Sequence, residues 1–146
     1  MATAQRDDPY LHYSFIVEID GIQRAGFAEV GGLTTDTDVV DYREGSDIGL
    51  HVRKLSGLRK TTPVNCKRGY TQNKELWQWR KDVINGVVKR RTVDFILRNE
   101  EQKEVLRWRV SEAWPSKWTG PALNAKTNEV AIEEIELQNE GIALVE

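Results

Sequence analysis

The chain has 146 residues, with 21 Lys and Arg against 23 Asp and Glu, a formal net charge of -2 and 39% hydrophobic residues. That length suits one domain with one core, the apolar share is too high for a disordered tail, and no apolar run reaches the roughly 18 residues of a transmembrane helix. The start, MATAQRDDPYLHYS, lacks a signal peptide's basic region and apolar core, which predicts a cytosolic chain, and the single cysteine, Cys66, excludes a disulfide framework or a multi-cysteine zinc site.

A polar arm over residues 1–9 precedes Tyr13, Phe15, Val17 and Ile19, whose period of two predicts a half-buried strand. Asp20-Gly21 suits a type I′ turn, so the chain should return through residues 22–27 as a hairpin. After Gly31-Gly32, residues 35–42 read as a second strand that is polar on both sides, with Asp36, Asp38 and Asp41 interspersed among Val39 and Val40. Such a strand fits a channel wall or a contact with another chain better than one monomer's core. Residues 43–60 then show neither a clean helical nor a clean strand period, and a connection of that length is usually functional. Ile48, Leu50, Val52, Leu55 and Leu58 are too many apolar residues for a solvated loop; they need a surface to cover.

Val64 and Cys66 resume alternation, and Cys66 reads as a small core residue. One helix follows, with Thr71 as the expected N-cap, Leu76, Trp77, Trp79, Arg80, Val83 and Ile84 in its body, and Asn85-Gly86 as its stop. Its tryptophans read as core rather than as a stacking platform for bases. Strands are expected over residues 92–98 and 105–110, then an aromatic, proline-bounded loop over 114–121. The last strand, 129–138, slips phase between Val130/Ile132 and Ile135/Leu137, which predicts a β-bulge near Glu133-Glu134.

Charge falls in blocks: 3 basic and 10 acidic residues in 1–50, 16 and 6 in 51–110, 2 and 7 in 111–146. Acidic and basic strands pairing within the fold explain this most simply; opposed surfaces of identical copies meeting head to tail, or a phosphate-binding face, are the alternatives. Chemistry is sparse. His12 and His51 have no nucleophile or acid partner in any readable pattern, and no zinc, calcium, Walker or dinucleotide spacing occurs. No enzyme activity, catalytic residue, metal or cofactor is expected.

The segments DPYLHYSFIVEIDG with GFAEVGGL, LSGLRKTTPVNCKRGYTQNKELWQW, and WRVSEAWPSKWTGPALNAKTNEVAIEEIELQNEGI cover nearly the whole chain in order. They resemble the tail tube proteins of contractile phages and of phage-tail-like contractile injection systems, most specifically over residues 114–142. The resemblance implies a mainly β fold, an antiparallel β-sandwich or barrel with one packed α-helix, in a single tail-tube domain over 1–146. Its sheets would close into a ring barrel on oligomerisation, and six-fold rings would stack into a hollow tube. Residues 43–60 would be an extended inter-subunit loop or hairpin, with Arg43, Glu44, Ile48, Leu50, Val52, Arg53, Lys54, Leu55, Leu58 and Lys60 at contacts. Asp36, Asp38 and Asp41 would be candidates for the lumen.

The implied partners are further copies of the chain, a contractile sheath, a baseplate or tube initiator with its spike, a tube terminator or cap, and lumenal protein or DNA cargo, without membrane insertion. Assembly in the bacterial cytoplasm into a phage tail or related particle would follow. The rivals are the ring-forming tube protein of an envelope-anchored secretion system, a baseplate-proximal initiator, and, from another class, a monomeric nucleic-acid-binding domain using Arg68, Arg80, Lys81, Lys89, Arg90 and Arg91.

Overall fold

The computed structural model describes residues 8–146 apart from 25 and 127, and leaves the side chains of residues 23 and 24 undescribed. Most of the expected arm over 1–9, and one residue of the return over 22–27, therefore lie outside the described residues. Strands β1 (Phe15–Ile19) and β2 (Ile22–Arg24) form the first hairpin. Asp20 and Gly21 have φ of 53° and 78°, the two positive angles that a type I′ turn demands. Then come β3 (Phe27–Gly31), β4 (Thr35–Tyr42), β5 (Arg53–Thr61), β6 (Val64–Gly69), helix α1 (Glu75–Ile84), β7 (Arg91–Arg98), β8 (Glu104–Thr119), β9 (Ile132–Gln138) and β10 (Gly141–Leu144).

Every strand pairing is antiparallel, in the order β2-β1-β7-β8-β9-β6-β3, with β10 also on β8. Strand β8 serves two layers: its first half pairs with β7 and β10, its second half with β9. At the change-over Glu112 has a φ of 53°, and the β7–β8 register shifts between Arg91 and Val93. An extra residue in one strand bends it and raises its twist, so the sheet turns over on itself there. Val17, Ile19, Val93, Phe95 and Val110 from the first layer and Val64, Cys66, Ile135 and Leu137 from the second enclose the core, which Leu76 and Trp79 of α1 extend. Burial pushes the Cys66 thiol up to about 12, so it stays protonated and acts as a small apolar residue.

Four local expectations need correction. Residues 114–119 are not a loop but the second half of β8; the buried Pro115 is tolerated because the β8–β9 register shifts between Pro115 and Lys117. Strand β9 has no bulge: it pairs with β6 in unbroken register from Ile132 to Leu137. The phase slip arises because Glu133 itself sits in step with Ile135 and Leu137 on the buried face. Thr71 does not cap α1. Asn73 Oδ1 accepts the Glu75 amide at 3.0 Å, Thr71 Oγ1 accepts that of Asn73 at 3.2 Å, and Lys74 at the N-cap position makes no side-chain cap.

Finally, residues 43–60 divide into a loop over 43–52 and strand β5. The pairs Thr37↔Arg59 and Val39↔Ser56 leave Gly57 and Leu58 opposite Asp38 alone, and that extra residue erases the strand period from the sequence. A Cβ at Gly57 would lie 3.1 Å from the Asp38 carbonyl oxygen, which explains glycine there.

Candidate assembly surfaces

Strands β4 and β5 continue the β3–β6 pair beyond its place in the main sheet and form a separate two-stranded ribbon. The break between the two parts is sharp. Gly32 has a φ of 92°, and a Cβ on it would lie 2.4 Å from the Pro63 carbonyl oxygen. Hydrogen bonds tie the root down: Thr62 Oγ1 donates to the Gly32 carbonyl at 3.2 Å, Thr61 Oγ1 to that of Asn139 at 3.1 Å, and Asn139 Nδ2 to that of Thr62 at 3.1 Å. The ribbon therefore stands out as an aimed arm.

Beyond that root the arm has almost no support from its own chain. Val39, Val40, Tyr42, Val52, Leu55 and Leu58 are exposed along it, and at its tip Ile48 is fully exposed and Leu50 is 91% exposed. A lone two-stranded hairpin is at best marginally stable in water, so this one needs a partner surface. The tip is nonetheless shaped. Arg43 donates to the carbonyls of Asp47 and Gly49, the Glu44 amide donates to Asp47 Oδ2 at 3.0 Å, and Arg53 pairs with Asp47 Oδ1 at 2.7 Å. Of the residues that sequence placed at contacts, Arg43, Glu44 and Arg53 are engaged within the loop, while Lys54 and Lys60 pair with Asp41 at 2.6 Å and Asp38 at 3.1 Å. The apolar members are left facing outward.

Alternation along β4 separates the three aspartates. Asp36 and Asp38 share a face with Val40, Tyr42, Leu55 and Lys60, whereas Asp41 lies on the other face with Thr35, Thr37, Val39, Lys54, Ser56 and Arg59. One wall therefore cannot present all three, and neither face is purely acidic.

A second apolar surface, which sequence reading missed, is a cleft of about 700 Å³ between the two layers, lined by Phe15, Val30, Leu33, Phe95, Leu97 and Trp108. Phe15, Val30, Leu33 and Trp108 are only partly buried although they pack on the core. No periodicity shows a cleft, because its walls come from four strands and the root of the arm.

Two ionic clusters complete the picture. Inside, Arg68 and Glu133, 3% and 1% exposed at the side chain, pair at 2.6 Å; Trp118 Nε1 donates to the same carboxylate at 3.0 Å, and Arg68 Nη2 donates to the Asn73 carbonyl at 3.1 Å. On the outer face of the first layer, Asp94 takes Arg107 at 2.6 Å and Arg109 at 3.0 Å, and Arg107 also reaches Glu18 at 3.1 Å. Burial alone would raise the Asp94 pKa, but hydrogen bonds from Arg109 and Arg107 outweigh it and hold the carboxyl below its usual range. A depressed folded-state pKa contributes stability above the unfolded value and loses it as pH falls through the folded one. The denaturation midpoint should therefore drop as pH falls below the ordinary carboxylate range, and Asp94→Asn should flatten that part of the pH profile.

Three of the six residues proposed for nucleic acid are committed elsewhere in the fold. Arg68 is interior, Arg80 donates to the Pro115 carbonyl at 3.3 Å, and Arg91 stacks over Trp79 at 5.1 Å. Trp79 is core and Trp77 lies against Trp118 at 4.9 Å, which removes the stacking platform. Among the described residues, no group of three His, Cys, Asp or Glu could hold a metal ion, and no helix is long and apolar enough to cross a membrane.

A sequence model described as T4-like virus tail tube protein gp19 matches residues 11–143. The chain belongs to this tail tube family. It is a structural inner tube protein, and the family is not one of enzymes. The fold agrees. A chain of the sheath–tube complex of an extracellular contractile injection system, PVC, in the extended state superposes with a TM-score of 0.85 at 26% identity, covering 94% of this chain and 91% of that one. A chain of the tube-terminating cap of the anti-feeding prophage gives 0.86 at 25% identity, covering 99% and 95%. Hcp1 from Flavobacterium johnsoniae, at 12% identity and a TM-score of 0.56 over 90% or so of each chain (89% and 93%), shares the tail tube fold alone. No curated protein matches the chain.

Proposed function

We propose that copies of this tail tube protein close into six-fold rings that stack head to tail into a rigid hollow conduit, assembled in the bacterial cytoplasm. In this reading a contractile sheath surrounds the conduit and drives it through a target envelope, a baseplate initiator with its spike starts it, a cap or terminator ends it, and the lumen holds or passes cargo. The unsupported apolar arm carries the reading: strands β4 and β5 bury little within the monomer, and their outer edges are unpaired among the described residues. Strands β2 and β3 likewise end the main sheet, and pairing such edges between copies in a closed ring would remove sites of uncontrolled aggregation.

The more polar face of the arm, with Thr35, Thr37, Asp41, Lys54, Ser56 and Arg59 and Val39 as its one large apolar residue, is the better candidate for the lumen wall. The face with Val40, Tyr42 and Leu55 would then pack on a neighbour, taking Asp36 and Asp38 with it. Such a wall is of mixed charge, so polyanion repulsion would be weak.

Negative-stain microscopy of the purified protein at high concentration tests the proposal. Class averages should show six-fold rings with a central hole, singly or in stacks; a chain that stays monomeric even when a baseplate initiator is supplied overturns it. Leu50→Asp with Val52→Asp should leave the circular dichroism spectrum unchanged and abolish stacking, because charge on the arm cannot be buried without a partner. Normal tubes from that double variant would remove the arm from the assembly mechanism.

A further inference from the structure

We infer that the apolar cleft lined by Phe15, Val30, Leu33, Phe95, Leu97 and Trp108 is the receptor for the Ile48 and Leu50 arm tip of a second copy, an assignment that rests on the conduit reading. The two surfaces match in chemistry: an apolar tip that its own loop bonds hold outward, and an apolar opening in the core that the monomer leaves partly exposed.

They also lie at opposite ends of one ribbon. Leu33 lines the cleft two residues before β4 begins, and the eight residues of β4 carry the tip roughly 27 Å further on. The root bonds and the tight approach of Gly32 to Pro63 keep the arm from folding back over that distance. A tip therefore cannot fill the cleft of its own chain. Inserting it into another copy leaves one tip and one cleft free at the two ends of the pair, and a contact of this heterologous kind either closes into a ring or propagates as an open stack. A tube of stacked rings uses both kinds of contact.

Charge plays little part. Residues 35–61 hold five acidic and five basic side chains, and Asp38, Asp41 and Asp47 are already paired within the arm. Tip insertion should therefore survive about 1 M NaCl, where the screening length shrinks to about 3 Å.

The test places a benzophenone amino acid at position 50, apolar like the leucine it replaces, and irradiates assembled protein. Covalent dimers should appear on a denaturing gel, with the adduct on peptides carrying Val30, Leu33 or Trp108. Adducts within one chain, or between chains at any other surface, overturn the assignment while leaving the conduit reading intact; a wild-type chain that forms neither rings nor tubes even when a baseplate initiator is supplied overturns both. Ala28→Trp, at an exposed β3 position on the cleft, gives an independent check. It should keep the wild-type spectrum and melting temperature and lose tube formation, whereas normal tubes overturn the assignment. Loss of the folded spectrum in that variant leaves the decision to the cross-link.

Discussion

Glu133→Ala is expected to lower the free energy of unfolding by about 3–5 kcal/mol, the cost of leaving a buried charge without its partner. Arg68 is 3% exposed at the side chain and pairs with Glu133 at 2.6 Å, deep between β6 and β9. Arg68 also donates to the Asn73 carbonyl, which cannot balance a full positive charge. A domain of this size has a total stability of only about 5–15 kcal/mol, so the variant should be largely unfolded at moderate urea concentrations. Removing both charges at once should cost far less: Arg68→Met with Glu133→Leu leaves only Trp118 Nε1 and the Asn73 carbonyl without their partners. Urea denaturation followed by tryptophan fluorescence measures all three proteins. If Glu133→Ala unfolds as late as the wild type, Arg68 is not held inside by that carboxylate.

Gly32→Val should abolish tube formation while Gly31→Ala leaves it unchanged. At Gly32 the φ of 92° disfavours any side chain, and the added Cβ would sit 2.4 Å from the Pro63 oxygen, so the backbone at the arm root must shift. Strain of this kind costs about 1–3 kcal/mol locally, and the main sheet should survive it. A few degrees at the root, however, move a tip roughly 27 Å away by more than an atomic radius. At Gly31 a Cβ would meet nothing within 4 Å, so the neighbouring glycine is the natural control. Electron microscopy together with a denaturation curve separates lost assembly from lost folding. Tubes of normal appearance from Gly32→Val would show that the arm's aim does not matter.

Much of this was legible in the residues. The first hairpin, β4, α1, β7 and the start of β8 follow from alternation, turn chemistry and helical spacing, all local properties. So does the anomaly of 43–60, whose apolar residues found no place in the chain's own core. The errors share a cause. At β9 the apolar rule failed because a carboxylate occupies a core position, and that carboxylate is tolerated only because Arg68, in step with Val64 and Cys66, meets it from β6. Two opposite charges, each in phase with a buried face, were a readable signal, but only once those strands were known to be neighbours. At 114–119 a proline suggested a loop, and only the local register shift against β9 shows how a strand accommodates it.

By itself, then, the sequence determined that this is a mainly β domain with one helix, a strand polar on both sides, and apolar residues seeking a surface outside their own core. Its motifs also carried the family. Tertiary structure decided which charges are paired inside, that Asp41 stands apart from Asp36 and Asp38, how the Gly32 kink aims the arm, and that a cleft opens at its foot. Those features arise between residues far apart in the chain, where pairing register and close approach in space, rather than local periodicity, set what each side chain meets.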